Sequence, residues 1–323
     1  MYFGAYLTGA FGQSQQLYQV RNEAKRGRGS QEAVLARVTE DTKNIIQLQR
    51  EVNQNYLIDP MFNFFNLLQP FAEQVNGVEI GLQENWFNNN VFYRRPQIHG
   101  PLELQSGFTK KYLHLNHLPA DGTAMVILPS PYTLMMLSEI TGYPNRMTAV
   151  TNLAEILHLE AQSLVSEGIG RIQYDEPVLV VKQSLGSLNT EDLALLQRGM
   201  DICGKVTGAS TSLHTYFGDA GPIIPFLISL PVDCLGIDGT ETRLNEIMKH
   251  NYSKKELALG LLDARSTSLE DPQQIADQLK AVAKKTSPEK LWLTPNAGTE
   301  YRGFTHGIKK LDLLKEIKVI LNE

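Results

Sequence analysis

Hydrophobic positions in this chain fall into short unbroken runs, separated by longer stretches in which apolar residues recur every three or four positions. Short runs rich in Val, Ile and Leu read as strands buried on both faces, and the longer recurrence reads as helices with one buried stripe. Strands are predicted at 3–8, 56–60, 124–128, 172–175, 211–217, 234–238, 257–262 and 291–294. Helices are predicted at 30–52, 61–71, 151–167, 190–206, 223–230, 241–249, 272–285 and 309–321, with a further one after Pro129-Ser130-Pro131. Ser30 caps the first of these, and Val34, Val38, Ile45 and Leu48 share its inner face. Asn189 or Thr190 caps 190–206, Asp271 precedes the first-turn Pro272, and Gly168 with Gly170 closes 151–167. Residues 13–28 are polar and are assigned no element. Residues 76–118, with Trp86, Phe87, an asparagine run at 88–90 and Tyr93, break the rhythm and read as an irregular insertion or hairpin over one end.

Eight strands alternating with helices imply parallel pairing with right-handed crossovers, and eight such units imply a closed barrel. The predicted fold is α/β: a single (β/α)8 TIM barrel over 1–323 with an irregular insertion at about 76–118. No G-x-G-x-x-G or Walker-type loop follows any strand, so a nucleotide fold has no positive support.

Composition narrows the function. A hydrophobic content of 42% and a charged content of 20% are those of an ordinary globular chain, and a net charge of −5 offers no broad basic surface for nucleic acid. No apolar run approaches the ~20 residues that span a bilayer. The start Met1-Tyr2-Phe3-Gly4 lacks a basic segment followed by an apolar run, and Cys203 and Cys234 are two thiols in a long chain. The expectation is a cytoplasmic protein with reduced cysteines and no membrane partner.

In a barrel, the loops at the strand C-termini carry the chemistry. The stretch Arg171-Ile172-Gln173-Tyr174-Asp175-Glu176-Pro177 is a strand that delivers two adjacent carboxylates to that rim. The same face would receive Thr8, Asp59, Ser130, Thr215, Tyr216, Asp238, Asp263, Arg265 and Asn296, with Arg265 paired to Asp263 or Asp238. One reading is a rim whose charges only satisfy one another. The other is a polar pocket for an amine-bearing or cationic small molecule, with Asp175 accepting from an ammonium. His214 alternates with the rim-facing positions and reads as structural. His114 and His117 have no neighbouring thiol or carboxylate pattern that would define zinc. Lys25-Arg26-Gly27-Arg28-Gly29 reads as a solvated basic turn, with phosphate or polyanion contact as the minority alternative.

Four segments occur in order at barrel spacing: Ile172-Gln173-Tyr174-Asp175-Glu176-Pro177, His214-Thr215-Tyr216-Phe217-Gly218-Asp219, Leu259-Gly260-Leu261-Leu262-Asp263-Ala264-Arg265 and Thr294-Pro295-Asn296-Ala297-Gly298. Together they resemble the cobalamin-independent methionine synthase family. The segment from Trp86 to Tyr93 is similar to the Trp-Phe-x-x-Asn-Tyr segment of that family's N-terminal barrel. The resemblance implies two barrels in tandem in full-length members, with zinc and homocysteine on the C-terminal one. It places the zinc ligands at positions that here hold Tyr216, Gly218, Asp238 and Ala297, and the proton-donating histidine at Arg265. This chain therefore resembles the zinc-free N-terminal barrel as a stand-alone chain. The resemblance also implies basic groups for a folate polyglutamate tail, where this sequence has Gln15-Gln16-Leu17-Tyr18 and Asn85 before Trp86.

The expectation that follows is a subunit of a split methionine synthase, inactive alone, binding no metal or cofactor itself. Its partner would be a separate zinc-containing catalytic barrel, and it would assist methyl transfer from a methyl-pterin-type donor to homocysteine. Asp175, Glu176, Tyr216, Asp238, Asp263, Arg265, Asn296, Ser130 and Trp86 are the candidate substrate contacts, and no catalytic residue is singled out. The alternatives are a non-catalytic protein that binds an amino acid or pterin on the same barrel, and an independent enzyme using Asp175 or Glu176 as acid or base.

Overall fold

The computed structural model describes residues 1–87, 89 and 91–322. Among them the strands are β1 (Phe3–Ala5), β2 (Leu57–Ile58), β3 (Val78–Asn85), β4 (Phe92–Ile98), β5 (Ala124–Pro129), β6 (Glu139–Ile140), β7 (Ile169–Asp175), β8 (Ser210–Thr215), β9 (Cys234–Asp238), β10 (Glu256–Leu262) and β11 (Leu291–Pro295). Eight of them form one sheet in the order β1-β11-β10-β9-β8-β7-β5-β2, with every pairing parallel. A parallel bridge between Tyr6 and Tyr56, with the Asn55 N–H donating to the Ala5 carbonyl at 2.9 Å, joins the two end strands and closes the barrel. Each barrel strand is followed by at least one helix before the next. β5, β9, β10 and β11 are buried at every position, as strands covered by helices outside and filled by side chains inside must be.

At the N-terminal end the barrel is plugged by Arg171, which is fully buried. Its guanidinium pairs with Glu256, donates from Nε to Ser210 Oγ at 2.9 Å, and lies 4.3 Å from the Tyr56 ring centre and 5.3 Å from that of Trp292. Higher up, His214 Nε2 is 3.1 Å from the Tyr6 hydroxyl, and burial pushes this imidazole down to about 3. It is the structural histidine that its place in the strand implied.

The insertion is a hairpin, β3 against β4, with β6 pairing parallel to β4 at Gln97 and Ile98. Trp86 and Tyr93 are buried, while Ile80 and Leu82 face solvent. Asn88 and Asn90 of the expected asparagine run lie outside the described residues.

Four stretches differ from the sequence reading, three of them for visible local reasons. Residues 61–68 are turns, and the helix there is only Gln69–Gln74. Asp59 Oδ1 takes the Met61 N–H at 2.7 Å and Asn66 Oδ1 takes the Leu68 N–H at 2.8 Å, so side chains claim donors a helix would need. Residues 15–25 form a helix capped by Ser14, whose one fully buried residue, Leu17, is too weak a periodic signal. The helix expected at 241–249 shrinks to Leu244–Ile247, because Asp238 Oδ1 accepts from the Thr240 and Glu241 N–H groups at 2.9 and 3.3 Å. The apolar run after Pro177, to which the sequence reading assigned no element, is a helix, Pro177–Ser184.

Candidate functional site

The loops at the C-terminal ends of the strands enclose a cleft of about 1360 Å³. Its walls come from the loop after β1, the turns at 61–67, the insertion through Trp86, Val91 and Phe92, and the segment 298–306 after β11. Asp175 and Tyr216 lie at its buried end.

Asp175 is the last residue of β7. Gln173, two positions earlier and so on the same face, donates from Nε2 to Asp175 Oδ1 at 2.7 Å and to the Thr8 carbonyl at 3.0 Å. Burial pushes the Asp175 carboxyl up to about 7, against hydrogen bonds from Gln173 and the Tyr216 hydroxyl that favour its charge. Tyr216 follows β8, and the next residue, Phe217, holds a left-handed φ of 69° with its N–H donating to Asp238 Oδ2 at 3.1 Å. The Phe217 ring is 4.8 Å from that of Tyr216 and 5.5 Å from that of Tyr301, so it backs the two rings that wall the cleft.

Glu300 and Tyr301 line the cleft beside these groups, and the sequence reading named neither. Burial pushes the Glu300 carboxyl up to about 8, and the neighbouring Asp175 adds to the rise. A Cβ at position 298 would meet Glu300 Oε2 at 2.1 Å and the Ala10 nitrogen at 2.8 Å, so Gly298 is what lets this carboxylate fold back. The available signal was a carboxylate two residues beyond the glycine in the loop that follows the last strand.

Of the nine candidate contacts, Asp175, Tyr216 and Trp86 reach the cleft. The other six stand aside, because their polar atoms brace loops. Ser130 caps the helix Pro131–Met136 and donates to Glu176. Glu176 caps Pro177–Ser184 through the Leu179 N–H at 2.9 Å and also takes the Thr133 N–H at 3.2 Å, with burial pushing its carboxyl up to about 7. Asn296 donates to Asp238 Oδ2 at 3.2 Å and Thr240 Oγ1 at 3.0 Å, and accepts the Ala264 N–H at 2.9 Å, tying three loops together. Asp263 Oδ1 takes the Arg265 N–H at 2.9 Å. The nearest partner of Arg265 is Glu241 at 2.5 Å, not Asp238, with Asp263 at 3.8 Å, and its guanidinium lies 4.7 Å from the Phe217 ring centre.

His114 pairs with Asp59 at 3.2 Å and stacks on His117 at 6.0 Å. No group of three or more His, Cys, Asp or Glu that could hold a metal occurs among the described residues. At the positions the resemblance assigns to zinc, Gly218 and Ala297 have no donor, Asp238 is engaged by its own loop, and the Tyr216 hydroxyl serves Asp175. These residues do not fit the metal. At the exposed end of the cleft, Arg21, Lys25 and Arg302 supply positive charge, so that Lys25 of the basic turn does face the site.

A parallel barrel with an acid-floored, aromatic-walled cleft at its C-terminal mouth has the architecture in which barrel enzymes place their sites. The chain belongs to the family described as cobalamin-independent synthase, catalytic domain, whose model matches residues 5–318. A relative named 5-methyltetrahydropteroyltriglutamate–homocysteine methyltransferase, from Thermosynechococcus vestitus, is 24% identical over 98% of this chain, which spans only 42% of that protein. A protein named methionine synthase, from Saccharolobus solfataricus, is 22% identical over 80% of this chain and 76% of its own length. The fold is shared with a structure described as a B12-independent methionine synthase from Shewanella sp. W3-18-1, in complex with selenomethionine, at a TM-score of 0.73, 18% identity and 91% coverage of both chains. It is also shared with one described as a putative vitamin-B12-independent methionine synthase from Listeria monocytogenes, at a TM-score of 0.75, 17% identity and full coverage of both chains. The family is the one the sequence segments resembled. The model that matches describes the catalytic domain, whereas the sequence reading aligned the chain with the zinc-free N-terminal barrel. No helix among the described residues is long and apolar enough to cross a membrane.

Proposed function

We propose that this chain is the zinc-free subunit of a two-chain cobalamin-independent methionine synthase, acting in the cytoplasm beside a separate zinc-bearing barrel. One observation carries the reading: the family match runs from residue 5 to 318, yet the positions that the sequence resemblance assigns to the zinc ligands hold Tyr216, Gly218, Asp238 and Ala297. The partner's zinc would make the homocysteine thiolate. This chain would hold and orient a methyl-pterin-type donor and keep water from the transfer. The cleft supports that role by its polarity. Asp175 and the oxygen of Tyr216 at the buried end accept from a heterocycle, and the aromatic wall stacks on it. Arg21, Lys25 and Arg302 at the exposed end offer cations to a carboxylate tail, which the turn Gln15-Gln16-Leu17-Tyr18 does not.

A second reading, a non-catalytic binding protein for an amino acid or pterin, is favoured by one feature. Residues of this chain already give the cleft acids, aromatic faces and cations, a set that can hold a small molecule. The test is capture of partners by the tagged chain from its native extract, with metal analysis of the chain and of what it retains, followed by methyl-transfer assays. The expected result is a co-purifying zinc-containing barrel, with activity only when both chains are present. About one equivalent of zinc on the isolated chain together with turnover would overturn the proposal. A metal-free chain that captures nothing would pass the assignment to the second reading.

A further inference from the structure

Among the described residues five non-glycines hold a left-handed backbone, and three of these are bulky and apolar: Met61 at a φ of 60°, Phe87 at 48° and Phe217 at 69°. A large side chain is strained there, so the conformation persists only where its surroundings hold it. All three stand at the cleft. Met61 lines it, and the Phe87 ring lies 6.3 Å from the ring of Phe217, which backs Tyr216 and Tyr301. Two of the three are held by the same device. Asp59, next after β2, accepts the Met61 N–H at 2.7 Å, and Asp238, the last residue of β9, accepts the Phe217 N–H at 3.1 Å. In each case an acid at a strand end spends an oxygen on the backbone of a strained wall residue.

We propose that Asp238 is a positioning residue of the cleft, which holds Phe217 in its left-handed turn so that Tyr216 meets Asp175 and the wall is set in advance for a flat heterocycle. The inference rests on the cleft being the ligand site of the function proposed above, and it gives the acid at a position that the resemblance assigns to zinc a different task. The turn is tied on both sides. The Asp219 N–H donates to Ser184 Oγ at 2.8 Å and the Ala220 N–H to Thr242 Oγ1 at 2.9 Å, while a Cβ at position 218 would collide with the Val180 carbonyl. Relaxing Phe217 would turn the chain between these ties and swing Tyr216 from Asp175. Asp238 is buried and uses both oxygens. Oδ2 takes the Phe217 N–H and Asn296 Nδ2, and Oδ1 takes the Thr240 N–H, the Thr240 hydroxyl and the Glu241 N–H. Asparagine has the same shape but one oxygen. Three donors against two keep that oxygen toward Thr240 and Glu241, so Asp238→Asn sets an NH2 against the Phe217 N–H and breaks this tie.

The test is a double-mutant cycle of Asp238→Asn with Phe217→Gly on the full chain, read by fluorescence titration with 6-methylpterin, a flat ring without a tail. Asp238→Asn should weaken binding about tenfold in the presence of Phe217. Glycine adopts a φ of 69° without being held, so in the Phe217→Gly background the same change should cost less than about twofold. The urea midpoint gives the cycle a second reading that needs no ligand and survives loss of binding with the ring. There the shift caused by Asp238→Asn should at least halve in the glycine background. A role confined to bracing residues 240–241 and Asn296 gives equal effects in both backgrounds, and that result, or no effect of Asp238→Asn on binding, overturns the inference. No binding of the probe by the unaltered chain overturns it together with the heterocycle reading. Methyl transfer by the captured pair with Asp238→Asn costing nothing removes only this inference, whereas a cycle of the expected form with no captured partner removes only the two-chain reading.

Discussion

Replacing Glu300 by glutamine should stabilise the protein, by an amount that grows as pH rises from about 4.5 to about 8. Burial lifts this carboxyl from its ordinary 4.5 to about 8, so between those values the folded chain keeps a proton that the unfolded chain releases. Stability from this group is therefore fully present below about pH 4.5 and is lost as pH rises through about 8. Moving a carboxyl that far corresponds to about 5 kcal/mol at ~1.4 kcal/mol per tenfold. Side-chain relaxation and water entry from the open cleft reduce this to roughly 2–4 kcal/mol. Glutamine matches the protonated acid in shape and carries no charge to desolvate. Urea unfolding near pH 4 should then place the two proteins within about 0.5 kcal/mol, since Glu300 is mostly protonated in both the folded and the unfolded state there. Near pH 8.5 the variant should be more stable by roughly 2–4 kcal/mol, with an unchanged m-value. Both proteins should still lose stability as pH rises, because Asp175 and Glu176 are each pushed up to about 7 and remain in both. Parallel pH profiles for the two proteins would refute the picture of an uncompensated buried carboxylate. The expected sign also bears on function, since a residue whose removal strengthens the fold is retained for something other than folding.

Two further perturbations separate bracing residues from cleft residues. Glu176→Ala removes the cap of Pro177–Ser184 and an acceptor for Thr133 and Ser130. It should cost roughly 2–4 kcal/mol in urea unfolding; a stability loss under about 0.5 kcal/mol would remove its bracing role. Arg171→Met strips Glu256 of its guanidinium but leaves it Lys290 Nζ at 2.8 Å and Trp292 Nε1 at 2.9 Å. The loss should be about 3–5 kcal/mol, with a coupling of about 1–3 kcal/mol in a double-mutant cycle with Glu256→Gln, and no coupling would mean that the pair does not act as the plug of the barrel.

The barrel was legible because its strands are buried on both sides and read as unbroken apolar runs, as Ala124–Pro129 does, and because Ser30, Asn189 and Asp271 mark helix starts. Residues 61–68 were not, because two side chains, Asp59 and Asn66, outbid a helix for its donors, and sequence periodicity does not weigh that competition. The site divides in the same way. Alternation along β7 puts Gln173 and Asp175 on one face and leaves Glu176, the next residue, to turn elsewhere, so strand parity alone separates the cleft acid from the capping acid. Parity has nothing to say about Asp238, which ends its strand as Asp175 does. What diverts it is the run of N–H groups at Phe217, Thr240 and Glu241 that its two oxygens collect, two of them from its own loop and one from the neighbouring strand's end. Glu300 is the converse case. Its place two residues beyond a glycine after the last strand is a faint mark, and it becomes a cleft residue because Gly298 leaves room for its carboxylate against the backbone at Ala10, on a loop nearly the whole chain away. An acid at a strand end is thus a site residue only when the backbone donors around it are too few to claim it. Sequence gives the acids in order, but the count of donors around each exists only once the loops have met.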